Sequence, residues 1–425
     1  MGIFISGGRS SRLRGCTALS GKVNKRSISD VDLGGMPGRT AIVRADLNVP
    51  LDGREITDDK RIRASLSTLR ILTEARWRVV LLSHLGRPKG QTDPAFSMKP
   101  VADRLDELLA PPVHFIPHTS GVDAVAGLEM LEAGEIALLE NTRFEVGEAI
   151  NDPDLAEFWA ALGDLYVNDA FGSAHRAHAS TAGLATAMRA RGGDAVAGLL
   201  MEKEIQFLGE ALHVPEKPFL AIVGGAKISS KIGMLSRLLP RVDHLLIGGG
   251  MANTFFAALG LDTGDSLVEM DAVELAKGLL REGGERLVLP VDCVVAANVS
   301  EDAKRRVVGL TEVQPSDKIL DIGPRTHQVF TDIVSEANTI VWNGPMGVFE
   351  VDAFAEGTVG IAHAVAEACD RGATGILGGG DSAAAAERAG VVDRLTHVST
   401  GGGASLELLA GGDLPSIDEL SDRSY

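Results

Sequence analysis

The chain has 425 residues, of which 45% are hydrophobic, and it carries a formal net charge of −17. Its length exceeds that of a usual single domain, so we expect two domains with ample core. The negative charge argues against nucleic acid or an anionic membrane as a partner, because both would be repelled.

The first 21 residues differ in composition from the rest of the chain. They carry Arg9, Arg12 and Arg14, no acidic residue and many Ser and Gly. Their apolar run, at residues 3–5, is too short for a secretory signal. We therefore predict that residues 1–21 form a disordered extension, with a targeting segment as the alternative.

Apolar strands alternate with helix-periodic segments through the first half of the chain. The pattern predicts strands at 39–47, 79–82, 113–116, 136–139 and 165–167, and helices at 58–75, 101–109 and 155–162. Asp58 or Asp59 is expected to cap the first of these helices. Such alternation favours a parallel sheet with helices on both faces.

The alternation restarts after a helix at 201–213, at a strand beginning with Phe219. We therefore predict an α/β protein with two doubly wound parallel-sheet (Rossmann-like) lobes joined by a hinge helix. The predicted parts are a lobe at 22–200, the helix at 201–213, a lobe at 214–411 and a C-terminal tail at 412–425 that packs back on the first lobe. The three cysteines have no paired spacing, which offers neither a disulfide framework nor a zinc site and fits a reducing cytosol.

Strands of the first half end at basic or polar side chains. The basic cluster consists of Arg44, Arg61, His84, Arg87, Arg143, His175 and Arg176. Ligands of open parallel sheets bind beyond the carboxyl ends of the strands, where Arg and His hold anions. Asp46 and Asn48 could accept from substrate hydroxyls, or could form an Asx turn before Pro50.

Strands of the second half end at glycines, which let backbone N–H groups approach phosphate. None of these turns matches the Walker pattern, and none is a clean GxGxxG. Lys227 and Lys231 are predicted to share one face of a helix, with a solvated face as the alternative. Asp381 could hold Mg²⁺ between phosphates or cap a helix. The loop Trp342–Glu350 suits a ribose hydroxyl beside an apolar wall.

Ten segments in a fixed order carry a resemblance to a known family. They are RADLNVP, SHLGRP, LENTRF, NDAFGSAHRAH, GGAKISSK, GGGMANTF, DIGPRT, WNGPMGVFE, GGGDSAAA and VSTGGGASLELL. From about residue 23 to its end the chain resembles the phosphoglycerate kinases. The resemblance implies a monomeric cytoplasmic enzyme of glycolysis. It would transfer a phosphoryl group from 1,3-bisphosphoglycerate to MgADP, giving 3-phosphoglycerate and MgATP, in line and after hinge closure.

The resemblance and the basic cluster together predict the site residues. Substrate-binding residues are Asp46, Asn48, Arg61, His84, Arg87, Arg143, His175 and Arg176. Nucleotide-binding residues are Gly225, Lys227, Lys231, Gly248, Gly249, Leu320, Gly323, Asn343, Pro345, Glu350, Gly379, Gly380, Asp381 and Ser382, with Asp381 as the Mg²⁺ ligand. Catalytic roles fall to Arg61, Lys227, Gly380 and Gly403.

Two other classes of protein stay open at this point. A nicotinamide-linked dehydrogenase would bind NAD(H) in preference to ADP, which a titration would reveal. A catalytically silent nucleotide-binding protein with this fold would be expected to have lost charged residues of the site, and all of them are present.

Overall fold

The computed structural model describes residues 24–34, 38–399, 401–409 and 411–423. They divide into two compact units, the first of the described residues up to Gly209 and from Asp413 onward, the second Glu210–Gly412. The predicted disorder of residues 1–21 lies outside the described residues. The division falls within the helix Leu199–His213, and the hinge role of that helix stays a prediction.

The first unit is built on a six-stranded parallel sheet. Its strands and a small hairpin are β1 (Thr40–Ala45), β2 (Leu51–Asp52), β3 (Glu55–Ile56), β4 (Arg78–Leu82), β5 (Val113–Ile116), β6 (Ile136–Leu139), β7 (Leu165–Asp169) and β8 (Asp194–Ala197). The sheet order is β5-β6-β4-β1-β7-β8. Every residue of β1 is buried, as expected for a central strand covered on both faces.

Helices of the first unit cover the sheet. They are α1 (Lys60–Glu74), α2 (Lys99–Leu108), α3 (Gly121–Leu128), α4 (Val146–Ala149), α5 (Pro153–Ala160) and α6 (Leu184–Ala190), and α7 (Leu199–His213) begins in this unit and ends in the second. α1 buries Ile62, Leu66 and Leu69 at helical spacing. Asp59 is the N-cap residue of α1, but its side chain makes no capping bond. The carboxylate of the preceding Asp58 accepts from the Lys60 amide at 2.9 Å.

The second unit holds another six-stranded parallel sheet and a small antiparallel one. Its strands are β9 (Phe219–Val223), β10 (His244–Ile247), β11 (Leu287–Val288), β12 (Asp292–Ala296), β13 (Arg306–Gly309), β14 (Lys318–Ile322), β15 (Thr339–Asn343), β16 (Thr374–Gly378) and β17 (His397–Ser399). The parallel order is β11-β10-β9-β15-β16-β17, and the antiparallel order is β13-β12-β14. The sequence pattern did not predict the antiparallel sheet.

Helices of the second unit follow its strands. They are α8 (Ile232–Leu238), α9 (Met251–Ala258), α10 (Val273–Gly283), α11 (Pro324–Glu336), α12 (Glu356–Asp370), α13 (Gly380–Arg388) and α14 (Gly403–Leu409), and α15 (Pro415–Asp418) returns to the first unit. Single turns of 3₁₀ helix lie at Ile28–Asp30, Pro94–Phe96, Thr142–Phe144, Phe171–Ser173, Met270–Ala272, Gly284–Arg286, Asp352–Phe354 and Val392–Arg394, and a π-helical turn at Ala179–Gly183.

The predicted helix carrying Lys227 and Lys231 is wrong. α8 begins only at Ile232, and both lysines precede it in a turn. Ser229 holds that turn outside the helix, because its amide and hydroxyl both donate to the Glu269 carboxylate, at 3.0 and 2.5 Å. The two lysines therefore do not share a helical face.

The last described residues pack on the edge of the first sheet. Ser421 donates its amide to the carbonyl of Ala195 in β8 and accepts from the amide of Arg26, both at 2.8 Å. Within the described part of the chain, none of the helices has the length and apolar character required to cross a bilayer.

Candidate active site

A cavity of about 360 Å³ lies beyond the strand ends of the first unit. We call it the basic cavity; it is lined by Arg87, Lys89, Gly90, Arg143, Glu145, Val146, Glu148, Ala149, Arg176 and His178. Three of the predicted substrate-binding arginines therefore meet in one cavity, although they follow β4, β6 and β7 in the chain. Such a set of guanidinium groups is suited to an anion with several oxygens.

Three more predicted residues, Asp46, Asn48 and Arg61, are held near the ends of β1 and β4. Arg61 donates Nη1 to Asp46 Oδ2 at 2.9 Å. Asn48 Oδ1 accepts from the Gly86 amide at 2.8 Å, so this oxygen already has a donor and fixes the turn before Arg87. The Asx-type contact of Asp46 with the Asn48 amide is long, at 3.5 Å. The stronger contact of Asp46 is therefore its ion pair with Arg61, not the Asx turn.

His84 lies at the end of a buried polar chain. Arg44 Nη2 approaches His84 Nδ1 at 2.9 Å, and Arg44 Nε donates to the Ser180 hydroxyl at 2.9 Å. That hydroxyl donates to Glu148 Oε1 at 2.6 Å, and the Ser180 amide donates to Glu148 Oε2 at 2.8 Å. Arg44, Ser180 and Glu148 have no exposed surface.

Crowded positive charge and burial shift the titration of this region. Burial and then the neighbouring charges of Arg44 and Arg176 together lower the pKa of Arg143 to about 10. Burial also lowers the pKa of His178 to about 4, against the opposing effect of Glu148. Both histidines that face the arginines, His84 and His178, are therefore neutral at pH 7.

His175 does not line the basic cavity. Its Nε2 accepts from Arg176 Nε at 3.1 Å, so it supports a neighbouring arginine of the predicted set. The structure brings in Lys89, Glu148 and His178, which sequence reasoning did not select. His178 belonged to a segment that the resemblance rests on, but no sequence signal distinguished Glu148 from the exposed acids around it.

A larger cavity, of about 610 Å³, lies at the glycine-rich strand ends of the second unit. We call it the glycine-loop cavity. Its lining includes six of the predicted nucleotide-binding residues, namely Gly225, Gly249, Leu320, Pro345, Glu350 and Asp381, together with apolar residues such as Phe256, Leu267 and Met346. Apolar walls beside glycine-rich strand ends suit a base and its phosphates.

Close backbone approach explains two of the glycines. Gly249 has φ +66°, and a Cβ there would lie 2.6 Å from the Gly225 amide nitrogen. Gly379 has φ +97°, and a Cβ there would lie 2.6 Å from Asn343 Nδ2. Only glycine combines this backbone region with such short distances, so a side chain at either position would force the neighbouring strand ends apart.

Three predicted residues fix the loops around the glycines. Lys231 Nζ donates to the carbonyl oxygen of Gly224 at 2.7 Å, and burial lowers its pKa to about 8 although Asp381 opposes the shift. Ser382 Oγ donates to the Gly378 carbonyl at 3.0 Å and accepts from the Gly344 amide at 2.7 Å. Asn343 Nδ2 also donates to the Gly378 carbonyl. These bonds connect the ends of β9, β15 and β16.

The remaining predicted residues lie at different places in the second unit. Lys227 is exposed, as are Gly380 and Gly403 at the first turns of α13 and α14. Gly248 packs against the Met346 side chain. Gly323 lies outside the glycine-loop cavity and lines a separate cavity of about 600 Å³, where it packs against Asp292.

Asp381 is the exposed second residue of α13, which has no side-chain cap. Among the described residues, no group of three His, Cys, Asp or Glu side chains could hold a metal by itself. Glu350 is a second exposed carboxylate in the same lining. One or two carboxylates fit Mg²⁺ that is held mainly by phosphates and water.

A buried carboxyl group of the glycine-loop cavity was missed by sequence reasoning. Asp321 accepts from the Ile322 amide at 2.9 Å and the Gly357 amide at 2.7 Å. Burial raises its pKa to about 7 against these two bonds. Gly347 and Gly357 touch it so closely that a Cβ at either would lie 2.3 Å from Oδ1. The carboxyl group therefore connects β14, the loop after β15 and the start of α12.

Comparisons with known proteins agree with this geometry. The family model described as phosphoglycerate kinase matches residues 28–412. The phosphoglycerate kinase of Chloroflexus aurantiacus is 53% identical over 406 residues, which are 94% of this chain and all of the relative. That of Lactobacillus johnsonii is 49% identical over 407 residues, with the same coverage.

Solved structures give the same result. Phosphoglycerate kinase from Coxiella burnetii superposes with a TM-score of 0.80 at 41% identity, covering 93% of this chain and 98% of that one. The enzyme from Pyrococcus horikoshii gives a TM-score of 0.80 at 33% identity, with the same coverage. The predicted α/β fold with two parallel sheets is confirmed.

Proposed function

Because this chain belongs to the phosphoglycerate kinase family, we propose that its two cavities divide one reaction between them. The reaction is the reversible transfer of a phosphoryl group between 1,3-bisphosphoglycerate and ADP, a step of glycolysis, which yields 3-phosphoglycerate and ATP. The basic cavity takes the glycerate, and the glycine-loop cavity takes the nucleotide. The observation that carries this division is the contrast between guanidinium groups in one lining and strand-end glycines with apolar walls in the other.

In the first unit, the arginines of the basic cavity neutralise the phosphate and carboxylate of the glycerate. The proposed set is Asp46, Asn48, Arg61, His84, Arg87, Arg143, His175 and Arg176. Asp46 orients Arg61 through the 2.9 Å ion pair. Asn48 orients Arg87 by fixing the preceding glycine amide.

In the second unit, the base lies against the apolar wall that includes Leu320 and Pro345, and Glu350 accepts from a ribose hydroxyl. The phosphates meet the strand-end glycines and the first turn of α13, where the positive end of the helix favours negative charge. The proposed set is Gly225, Lys227, Lys231, Gly248, Gly249, Leu320, Gly323, Asn343, Pro345, Glu350, Gly379, Gly380, Asp381 and Ser382.

Catalysis needs charge stabilisation more than proton transfer, because the attacking carboxylate or ADP oxygen is already ionised. Phosphoryl transfer passes through a loose transition state with charge on three oxygens. We assign its stabilisation to Arg61, Lys227 and the amides of Gly380 and Gly403. Lys231 keeps its hydrogen bonds to the carbonyls of Gly224 and Asn343 and so holds the loops that surround the phosphates. Hinge closure stays a prediction.

Asp381 is the proposed protein ligand of Mg²⁺ that arrives with the nucleotide. When bound, the ion neutralises phosphate charge and orients the nucleotide oxygens. Its donor set of one or two exposed carboxylates agrees with binding that depends on the nucleotide.

A coupled assay tests the proposal directly, with 3-phosphoglycerate and MgATP as substrates. We expect turnover, and we expect ADP to bind in preference to NAD(H). Binding of NAD(H) without phosphoryl transfer would favour the dehydrogenase, and nucleotide binding without turnover would favour a silent protein. A monomeric state and a cytoplasmic location also stay predictions, to be tested by light scattering and cell fractionation.

A further inference from the structure

His84 is the only residue of the proposed glycerate set, among the described residues, whose side chain bonds to Arg44. The guanidinium of arginine has five donors and no acceptor and stays charged in proteins. Its approach to His84 Nδ1 at 2.9 Å is therefore a hydrogen bond only if Nδ1 is unprotonated and accepts. The one proton of a neutral imidazole must then lie on Nε2.

Arg44 cannot readily turn away from His84, because its other nitrogens are occupied. Nε donates to the Ser180 hydroxyl at 2.9 Å, and Nη1 donates to the Ala45 carbonyl. Ser180 in turn gives both its hydroxyl and its amide to Glu148. Arg44 and Glu148 are both completely buried, so each needs the opposite charge nearby.

We propose that Arg44, held by Ser180 and Glu148, is a positioning residue that locks His84 in the neutral Nε2–H tautomer. His84 then meets the glycerate as a neutral hydrogen-bond donor and adds no positive charge to the basic cavity. This inference rests on the proposed role of His84 in glycerate binding. The bond to Arg44 uses Nδ1 of His84, so the proton on Nε2 is left for a ligand.

Burial and the positive groups around the ring act in the same direction. Burial of the ring, followed by Arg44 on β1, Arg143 after β6, His178 before the π-helical turn and Arg61 on α1, keeps the pKa of His84 well below its ordinary value. Glu148 is the acidic group of this buried chain, and Ser180 and Arg44 lie between it and the ring. The ring therefore stays neutral over the range in which histidine ordinarily titrates.

Nitrogen-15 NMR of the imidazoles in the full-length protein tests the tautomer without substrate. We expect Nδ1 of His84 to be unprotonated and Nε2 to be protonated from about pH 6 to about pH 8. His84→Gln removes the signal and so assigns it. A proton on Nδ1, or an imidazolium at neutral pH, would overturn the proposal even if the enzyme transfers phosphoryl groups normally.

Two substitutions at His84 test its consequence for binding. A Gln amide nitrogen reaches the position of Nε2, whereas an Asn amide reaches only that of Nδ1. We expect His84→Asn to raise KM for 3-phosphoglycerate by about 10- to 100-fold, the range for a bond to a charged group. His84→Gln should keep most of the affinity, and kcat should change little in either variant. Equal effects of Asn and Gln would refute the inference.

Arg44→Gln removes the obligatory donor, because an amide can donate or accept. We expect His84 to show a mixture of tautomers in that variant and a raised KM. His114→Gln is the matched control, since His114 is an exposed histidine of the same unit bonded to Glu135 at 3.0 Å; it should change neither KM nor the His84 signal. If Arg44→Gln does not fold, the wild-type spectrum and the pair of His84 variants still test the proposal.

Discussion

The substitution Arg61→Ala tests whether Arg61 acts in catalysis, because it should lower kcat far more than it lowers the stability of the fold. Arg61 is the second residue of α1, and its Nη1 lies 2.9 Å from Asp46 Oδ2, with side chains 39% and 10% exposed. An ion pair at this exposure contributes about 0–1 kcal/mol to folding. Losing a donor to the transition state lowers kcat by about 10²–10³. The expected loss of rate is therefore much too large to come from unfolding, given a stability of about 5–15 kcal/mol.

The same helix supplies the control. Arg63 is two residues further along α1 and pairs with Asp59 at 2.9 Å, with its side chain 53% exposed. Arg63→Ala removes an equivalent surface ion pair and should leave kcat unchanged. The coupled assay gives kcat, and calorimetric titration with ADP should show unchanged nucleotide affinity in both variants. If Arg61→Ala retains more than about a tenth of wild-type turnover, which corresponds to less than about 1.4 kcal/mol, Arg61 is not a catalytic charge.

Three more expectations concern the second unit. Gly379→Ala should raise KM for ATP and cost about 1–3 kcal/mol of stability through backbone strain. Gly390→Ala is its control, because Gly390 has φ +68° and nothing lies within 4 Å of a Cβ there. Equal KM values for the two variants would contradict the idea that a Cβ at residue 379 displaces Asn343. Asp381→Asn should raise the half-saturating Mg²⁺ concentration by about 10- to 100-fold, and tight Mg²⁺ binding without nucleotide, seen by calorimetry, would argue against the assignment. Burial raises the pKa of Asp321 from 3.8 to about 7, so the folded state binds a proton that the unfolded state releases. The stability that this proton adds is therefore complete below about pH 4 and is lost as the pH rises through about 7. Urea unfolding should show the free energy of unfolding falling by a few kcal/mol at most over this pH range, at about 1.4 kcal/mol per pKa unit. The same dependence of that free energy on pH in wild type and in Asp321→Asn would contradict the prediction.

Local regularities made much of the fold predictable. The strands Val113–Ile116 and Ile136–Leu139 are predicted to the residue, because a short apolar run between polar turns has few other structures available. α1 differs from its predicted bounds by two residues at the start and one at the end. The α/β class followed from the alternation of such elements. The residue types at strand ends predict which half takes the anion and which the nucleotide, and that division stays a proposal.

Contacts between residues far apart in the chain decided the rest. The turn that holds Lys227 depends on Ser229 and Glu269, which are 40 residues apart, so helical spacing alone gave the wrong structure. The antiparallel sheet pairs β12 with β14 through a bulge between Val294 and Val295, which no local pattern indicates.

The sequence by itself determined the chemical groups that this protein brings to its reaction, because strand ends and glycine turns depend on residues that are neighbours in the chain. Only the tertiary structure decided their protonation and partners. Glu148 looks like any other acid in the chain, yet it is fully buried and holds Ser180 and, through it, Arg44. Burial and charge depend on which distant segments pack around a group, and that information exists only once the chain has folded.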